Sequence, residues 1–362
     1  MHTKSPFLRT MPPRNMTPAA LGAAASARRF GPRPLVAAVA LALLGAAGSA
    51  QAATWKMALG DAAGGTQHEM GQTFAKLIEE KSGGDVSVDL FPNGQLGSEQ
   101  DTVNNASMGL LDLSVLAINN ITPFSPTVGV MTLPYVIQSP EDARTLTQGE
   151  IGQEMVDNTI RDAGVRILGW AYSGCRRLTN SARPVASPED LDGLVIRVPK
   201  NEIMISAYQS WGVNPNPLAW SETFTALQQG VVDGQDNPYI TIDAMKFYEV
   251  QDHVTDSCYV FSMEPLIMGE GMFQSLSEEQ QQWVLEAAQE ATDHSYEYLL
   301  AQEDAIKTRL VEEHGMEITE PADGEQAWIE QATAIWPDFY DSIGGKAKLD
   351  EALAALGREP AP

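Results

Sequence analysis

The hydrophobic pattern of the chain alternates between strand-like and helix-like segments. TWKMALG places Trp55, Met57 and Leu59 on one face, as a strand does. Thr66 is predicted to cap a helix with apolar residues at helical spacing, and VSVDLF (86–91) alternates as a second strand. Strand, helix, strand, helix, strand in this order predicts an α/β fold whose helices pack on a sheet rich in parallel strands.

The same pattern continues through the rest of the chain. GVRILGWAY (164–172), LVIRVP (194–199) and MEPLIMG (263–269) are predicted strands, and Ser221 is a predicted helix cap. The segment from Ser277 to His314 contains neither Gly nor Pro. At 1.5 Å per residue, one helix of this length extends roughly 50 Å or more, which is long enough to brace two domains.

The beginning of the chain differs from the rest in composition. Its first 53 residues hold six basic residues and no acidic ones, and they include the apolar run LVAAVALALLGAAGSAQA. Ala50-Gln51-Ala52 fits the small-x-small cleavage pattern. The apolar run is short for a membrane span, and its flank is positive. Residues 1–52 are therefore predicted to be a cleaved signal peptide, which implies a periplasmic protein without a direct membrane anchor.

Charge and cysteine content narrow the possible partners. The leader removes six of the 23 basic residues, so 17 basic residues remain against 48 acidic ones and the net charge becomes −31. Such a protein repels nucleic acid, which is not an expected partner. Cys175 and Cys258 can form a disulfide in an oxidising compartment, but the sequence does not show whether they meet. We expect them to be unpaired.

The motifs that would indicate catalysis or a bound cofactor are not found. The five histidines are not at metal-ligand spacing, and no G-x-S-x-G, P-loop or G-x-G-x-x-G motif occurs. Asp233 and Asp236 have no nucleophile or proton shuttle near them in the sequence. The chain is therefore predicted not to be an enzyme and to need no metal or cofactor. A secreted hydrolase or lyase on a two-domain frame is the alternative.

One polar loop and three arginines in or after apolar strands are the candidates for ligand binding. LQQGVVDGQDNPYITI (227–242) contains a polar loop, either a surface turn or a loop that aims donors and acceptors at a ligand. Arg176 and Arg177 follow a buried strand, and Arg197 lies inside an apolar one. A buried arginine needs a partner. Arg197 is thus either in an ion pair with an acidic residue or part of a bidentate clamp for a carboxylate ligand.

Several ordered motifs resemble one known family. RRLTNSARPVASPEDLDGLVIRVP, WGVNPNPLAWSETFTALQQGVVDGQDNP and KFYEV, with FPNGQLGSEQD and LPYVI upstream, are similar to the periplasmic solute-binding proteins of TRAP (tripartite ATP-independent periplasmic) transporters, DctP type. The resemblance extends over essentially the whole chain after the leader. It implies a protein that captures a small organic acid and delivers it to the small and large membrane subunits. A binding protein that feeds a sensor kinase is the alternative.

The resemblance also implies the architecture. It indicates a two-domain periplasmic-binding-protein fold, type II-like, with an interdomain cleft, hinge strands and a long domain-spanning helix. Domain I is expected to comprise residues 53–173 and about 262–300, and domain II residues 174–261 and about 301–355. We expect a monomer.

By resemblance, Arg197 aligns with the clamp arginine of the family, and Arg176 rather than Arg177 aligns with the family's second arginine. Asn237 matches the family's Asn in G-Q-E-N-P, and Trp220 replaces a more usual Phe that packs over the ligand's carbon skeleton. These residues are expected to bind the ligand.

Two departures from the family pattern concern the choice of ligand. Asp236 stands where the family commonly has Glu and is included among the expected ligand-binding residues. After the segment that aligns with 112–116, LAINNIT lacks the acidic residue of the sialic-acid-binding members. This absence argues against sialic acid. Asn119 and Asn120 would instead meet hydroxyl groups, which favours a small hydroxylated acid or a sugar acid, with a C4-dicarboxylate as a further possibility.

Overall fold

The structure, a computed structural model, describes residues 53–362, so the predicted signal peptide lies outside the described residues. Eleven strands are found in this part of the chain. They are β1 (Ala53–Leu59), β2 (Val86–Phe91), β3 (Leu113–Val115), β4 (Val165–Cys175), β5 (Arg177–Asn180), β6 (Arg197–Val198), β7 (Asn216–Pro217), β8 (Gly234–Asn237), β9 (His253–Thr255), β10 (Phe261–Gly269) and β11 (Glu317–Thr319).

The same residues form twelve α-helices and several short 3₁₀ turns. The helices are α1 (Thr66–Lys81), α2 (Glu99–Ser107), α3 (Pro140–Gln148), α4 (Glu150–Ala163), α5 (Glu202–Ser210), α6 (Thr223–Gln228), α7 (Tyr239–Ala244), α8 (Glu270–Ser275), α9 (Glu278–Glu312), α10 (Gln326–Thr333), α11 (Trp336–Phe339) and α12 (Lys346–Ala355). Two predicted caps are wrong: Gly65 is the N-cap of α1, and Ser221 lies inside a 3₁₀ turn, Trp220–Glu222.

Two sheets organise the fold. The first has the strand order β2-β1-β3-β10-β4, in which β1 is parallel to β2 and β3, whereas β10 is antiparallel to β3 and β4. The second has the order β11-β9-β5-β8, with β5 antiparallel to both of its neighbours. Two short segments and the long helix α9 connect the sheets. The chain leaves the first sheet between Cys175 and Arg177, returns to it between Thr255 and Phe261, and passes through α9 from β10 to β11 of the second sheet.

The predicted long helix is confirmed as α9, a single helix of 35 residues. Ser277 caps it through a capping box with Gln280, and glutamates occupy its first turn, where the helix dipole favours negative charge. Its first part packs on α1 and β4, and Thr292 Oγ1 accepts a hydrogen bond from the Trp170 backbone N–H. Its last part contacts α7, where Arg309 forms an ion pair with Asp243. One helix therefore packs on elements that belong to both sheets.

The expectation that the two cysteines are unpaired is wrong. Cys175 and Cys258 form a disulfide with a Cα–Cα distance of 4.9 Å. Cys175 ends β4, and Cys258 lies just before β10, the antiparallel partner of β4, so the two connecting segments run side by side. Sequence spacing alone does not contain this pairing. The bond closes a loop of 83 residues, for which loss of chain entropy in the unfolded state stabilises the fold by about 4–5 kcal/mol.

Candidate functional site

A small polar cavity lies where the two sheets meet. Five of the six residues expected to bind the ligand line it: Asn119, Arg176, Arg197, Trp220 and Asn237. The sixth, Asp236, does not. The remaining lining residues are Asp61, Gln67, Glu99, Ala117, Asn120, Pro199 and Glu264.

Arg176 is the single residue between β4 and β5, and its side chain is hydrogen-bonded to Asp236. Its Nε donates a hydrogen bond of 2.8 Å to Asp236 Oδ2, and its Nη2 donates to the Asp236 backbone carbonyl. Both side chains are almost completely buried, at 3% and 0% exposure. Burial alone would lower the pKa of Arg176, but the Asp236 carboxylate outweighs burial and raises it. Tyr259 OH donates to the same carboxylate oxygen. Asp236 thus contacts Arg176 rather than the cavity.

The polar segment Gly234–Asn237 is a buried strand rather than the predicted loop. It forms β8, which pairs with β5, and its polar side chains have partners inside the protein. Gln235 Nε2 donates to Thr179 Oγ1, and the Asn237 side-chain amide donates to Gln235 Oε1. A Cβ at Gly234 would lie 2.3 Å from the Thr179 carbonyl oxygen, so close pairing of the two strands requires glycine there. The pairing places Asn237 at the cavity.

Arg197 is a buried cation without a carboxylate partner. It is 2% exposed, and its Nε and Nη2 donate to the Leu218 carbonyl at 3.2 and 2.8 Å, while Nη1 makes no hydrogen bond to any residue of 53–362. Over the same range no carboxylate lies within ion-pair distance of it. Burial, and then repulsion from Arg176, lower its pKa to about 10. Of the two alternatives for Arg197, the ion pair with an acidic residue is not formed.

Aromatic and amide groups complete the part of the cavity near the arginines. The Trp220 ring lies 5.7 Å from the Arg197 guanidinium carbon and packs edge-on against Phe247. Asn119 is buried, and its backbone carbonyl accepts a hydrogen bond from the Asn201 side chain at 3.1 Å. Trp220 Nε1 and Asn119 Nδ2 have no partner among the described residues. These two donors are therefore free to bind a ligand.

Three buried carboxyl groups line the cavity, and sequence reasoning missed all of them. Asp61 follows β1, Glu99 is the first residue of α2 and Glu264 lies within β10; they are 2%, 6% and 3% exposed. The absence of an acidic residue at 117–120 therefore does not leave the site without one. Glu264, alone in an apolar strand, carried the same signal that identified Arg197.

The three carboxyl groups differ in their hydrogen bonds. Glu99 Oε1 accepts from Gln67 Nε2 at 2.8 Å and from the Ala117 backbone N–H at 3.2 Å, and the Asn120 side chain donates to Oε2. In contrast, Asp61 Oδ2 and Glu264 Oε2 have no donor among residues 53–362. The site thus contains one satisfied carboxylate and two that lack a donor on one oxygen.

Burial changes the proton affinity of all three groups. Burial, and then the nearby Glu99, raise the pKa of Asp61 to about 8. Burial, and to a smaller extent the nearby Asp61, raises the pKa of Glu264 well above its usual range. The pKa of Glu99 is also raised by burial, although the N–H donors of Gln67 and Ala117 oppose the shift. The cavity therefore combines two arginines with three carboxyl groups whose pKa values are raised.

We expect the unliganded protein to lose stability as the pH rises from 6 to 8. Folded Asp61, with a pKa of about 8, keeps a proton that an unfolded Asp releases near pH 3.9. The stabilisation is complete below the unfolded pKa and is lost as the pH rises through the folded one. Asp61 alone should lower the free energy of unfolding by about 2 kcal/mol over this window.

Urea denaturation at a series of pH values measures this effect. Asp61→Asn cannot titrate, so its stability should fall less with pH than that of the wild type. Asp89→Asn, at an exposed carboxylate on β2, is the control and should follow the wild type. Parallel curves for the wild type and Asp61→Asn would contradict the assignment of this proton to Asp61.

Two sheets joined by paired crossing segments, a helix that packs on both and a polar cavity where they meet are the features of a two-domain solute-binding protein. The model of the family described as "Bacterial extracellular solute-binding protein, family 7" (DctP) matches residues 58–342, and the chain belongs to this family. The resemblance seen in the sequence is therefore confirmed, and so is the two-domain fold. The family consists of transport proteins rather than enzymes.

Individual relatives support this assignment. A solute-binding protein of Verminephrobacter eiseniae is 33% identical over 283 residues, 78% of this chain and 83% of the relative. A TRAP periplasmic solute-binding protein of Roseobacter denitrificans, solved with bound L-galactonate, has a TM-score of 0.75 and 31% identity and covers 82% of this chain and 99% of its own. A TRAP protein of Sulfurospirillum deleyianum, solved with succinate, has a TM-score of 0.79 and 26% identity and covers 84% and 99%.

No helix within residues 53–362 is long and apolar enough to cross a membrane. No group of three or more His, Cys, Asp or Glu side chains there is arranged to hold a metal ion, and this includes the three carboxyl groups of the cavity.

Proposed function

We propose that this protein is the extracytoplasmic solute-binding component of a TRAP transporter and that it captures a small organic acid through an arginine clamp. The observation that carries the proposal is Arg197, a buried cation that lines the cavity without a carboxylate partner. Its Nη1 has no hydrogen bond within the described chain, and Arg176 presents a second guanidinium to the same cavity. A ligand carboxylate would supply the missing negative charge and accept from both side chains.

The strength of such a clamp agrees with the needs of solute capture. A hydrogen bond to a charged group contributes about 1.5–3 kcal/mol. Two of these, with packing of the ligand's carbon skeleton against Trp220 and a hydrogen bond from Asn119 or to Asn237, reach about −8 kcal/mol, which corresponds to a micromolar Kd. L-galactonate and succinate, found in two relatives, are both carboxylates. A sugar acid or another small carboxylic acid is therefore the proposed ligand class.

Capture and delivery depend on motion of the two domains. We place domain I at residues 53–173 with about 262–300, and domain II at 174–261 with about 301–355. Residues 1–52 would direct export to the periplasm, where the protein acts as a monomer. Closure around the acid excludes water and strengthens the clamp, and the closed surface is then recognised by the membrane subunits.

A thermal-shift screen of organic acids against the purified protein tests the proposal. Ligand at about 100 times Kd stabilises the native state by about 2.7 kcal/mol, which gives a clear rise in Tm. We expect rises with sugar acids or other carboxylates and none with the matching neutral sugars. Rises only with neutral or cationic solutes would overturn the proposal.

A further inference from the structure

The cavity contains more carboxyl groups than a site for an anion requires. Arg176 is already neutralised by Asp236, so Arg197 is the one cavity arginine, among the described residues, without a carboxylate partner. A bound carboxylate would neutralise it. Asp61, Glu99 and Glu264 then remain in the same buried space, and none of them forms an ion pair with a residue of 53–362. Their presence needs an explanation beyond the clamp.

The hydrogen bonds separate these three groups by role. Glu99 has three N–H donors and needs nothing from a ligand. Asp61 Oδ2 and Glu264 Oε2 are buried acceptors without a donor. A buried acceptor that stays unpaired costs about 1–3 kcal/mol, so the bound state is favoured when the ligand supplies O–H or N–H groups at this position.

We propose that Asp61 and Glu264 form an acceptor subsite that binds hydroxyl or ammonium groups of the captured acid and selects against a second carboxylate. This inference rests on the proposed function, because it assumes that the first carboxylate of the ligand occupies the arginine clamp. A second carboxylate brings no donors, and it adds a like charge next to Asp61 and Glu264 when these groups are ionised. The protein should therefore prefer hydroxylated or amino monocarboxylates to dicarboxylates.

The preference should depend on pH with a defined sign. The charged groups around the subsite are Glu99, Arg176 and Arg197, with Asp236 behind Arg176. A protonated carboxyl can donate a hydrogen bond to a second carboxylate, whereas an ionised one repels it. Since the pKa of Asp61 is about 8, discrimination against dicarboxylates should be weak at acidic pH and strong above pH 8.

Isothermal titration with matched pairs of acids tests this preference. D-erythronate and meso-tartrate differ only in a terminal hydroxymethyl against a second carboxylate, and so do L-galactonate and galactarate. 4-Hydroxybutyrate, 4-aminobutyrate and succinate compare a hydroxyl, an ammonium and a carboxylate on chains of equal length. At about pH 9 we expect the monocarboxylate of the better-binding pair to bind about 100-fold more tightly than the dicarboxylate of the same pair. The ratio of the two affinities should fall towards unity at about pH 6.

Single variants assign the effect to the two residues. Asp61→Asn and Glu264→Gln keep the side-chain volume and remove the charge, so each should lower the ratio at high pH by about 10-fold or more. Glu317→Gln, at an exposed carboxylate on β11, should leave the ratio unchanged. The ratio within each pair also cancels any change in the clamp itself.

The outcomes separate the subsite from the proposed function. Dicarboxylates that bind as tightly as their partners at high pH would overturn the subsite while leaving the clamp intact. The subsite would also be overturned if Asp61→Asn and Glu264→Gln both kept the wild-type ratio of monocarboxylate to dicarboxylate affinity. If no acid of the set binds, the proposed function fails, and the subsite fails with it.

Discussion

Replacing Arg197 with lysine is expected to weaken binding of the organic acid by about 10- to 100-fold, equivalent to about 1.4–2.8 kcal/mol. Lysine keeps the positive charge but lacks the planar fork. In the structure, Arg197 uses Nε and Nη2 to hold the Leu218 carbonyl and keeps Nη1 free at the cavity. A single ammonium cannot serve both partners with this geometry. Calorimetric titration with an acid found in the thermal-shift screen measures the loss.

The stability of the empty protein should respond differently. Arg197 has no carboxylate partner in the unliganded structure, so its loss breaks no ion pair within the described chain. We expect the Tm of unliganded Arg197→Lys to stay within a few degrees of the wild type. Arg197→Ala should bind more weakly than Arg197→Lys, yet the empty protein should be as stable as the wild type or more so, because a buried unpaired cation is removed.

Arg177→Lys is the matched control for Arg197→Lys. Arg177 is somewhat less buried, with a side chain 12% exposed, its guanidinium is bound by Asp256, Glu303 and the Cys175 carbonyl, and it does not line the cavity. Its replacement should lower stability and leave the affinity for the acid nearly unchanged. Equal affinity in the wild type and Arg197→Lys would return Arg197 to a purely structural role.

Local signals were sufficient for the elements with strong periodicity. The absence of Gly and Pro after Ser277 predicted α9, and the apolar run around MEPLIMG predicted β10. Arg197 stood out because an arginine in an apolar strand requires an explanation. Each of these signals lies within a single segment, where propensity and burial act on neighbouring residues.

Features that depend on distant segments were not predictable in this way. Gly234–Asn237 has the composition of a loop, and only pairing with β5 and the partners of its polar side chains make it a buried strand. The disulfide requires the antiparallel register of β4 and β10. Asp61 and Glu264 are about 200 residues apart and meet only through the fold of the first sheet. Sequence periodicity contains no information on these contacts.

Removal of the Asp236 carboxylate is expected to cause the largest loss of stability among the single substitutions at this site. Asp236→Ala leaves Arg176 charged, buried and without its ion-pair partner, and it also removes the acceptor of Tyr259 OH. Breaking a buried ion pair on one side costs about 3–5 kcal/mol. Chemical denaturation of the unliganded protein should show a decrease of this size in the free energy of unfolding.

A double substitution shows whether Asp236 acts through Arg176. Arg176→Met with Asp236→Leu replaces both charges by apolar side chains of similar size, and such replacements are often neutral for stability. The double variant should therefore be more stable than Asp236→Ala but should bind the acid poorly, because one guanidinium of the proposed clamp is missing. This pattern would make Asp236 a positioning residue for Arg176 rather than a ligand contact. If Asp236→Ala instead kept full stability and lost only affinity, Asp236 would have to contact the ligand, as the family resemblance first indicated.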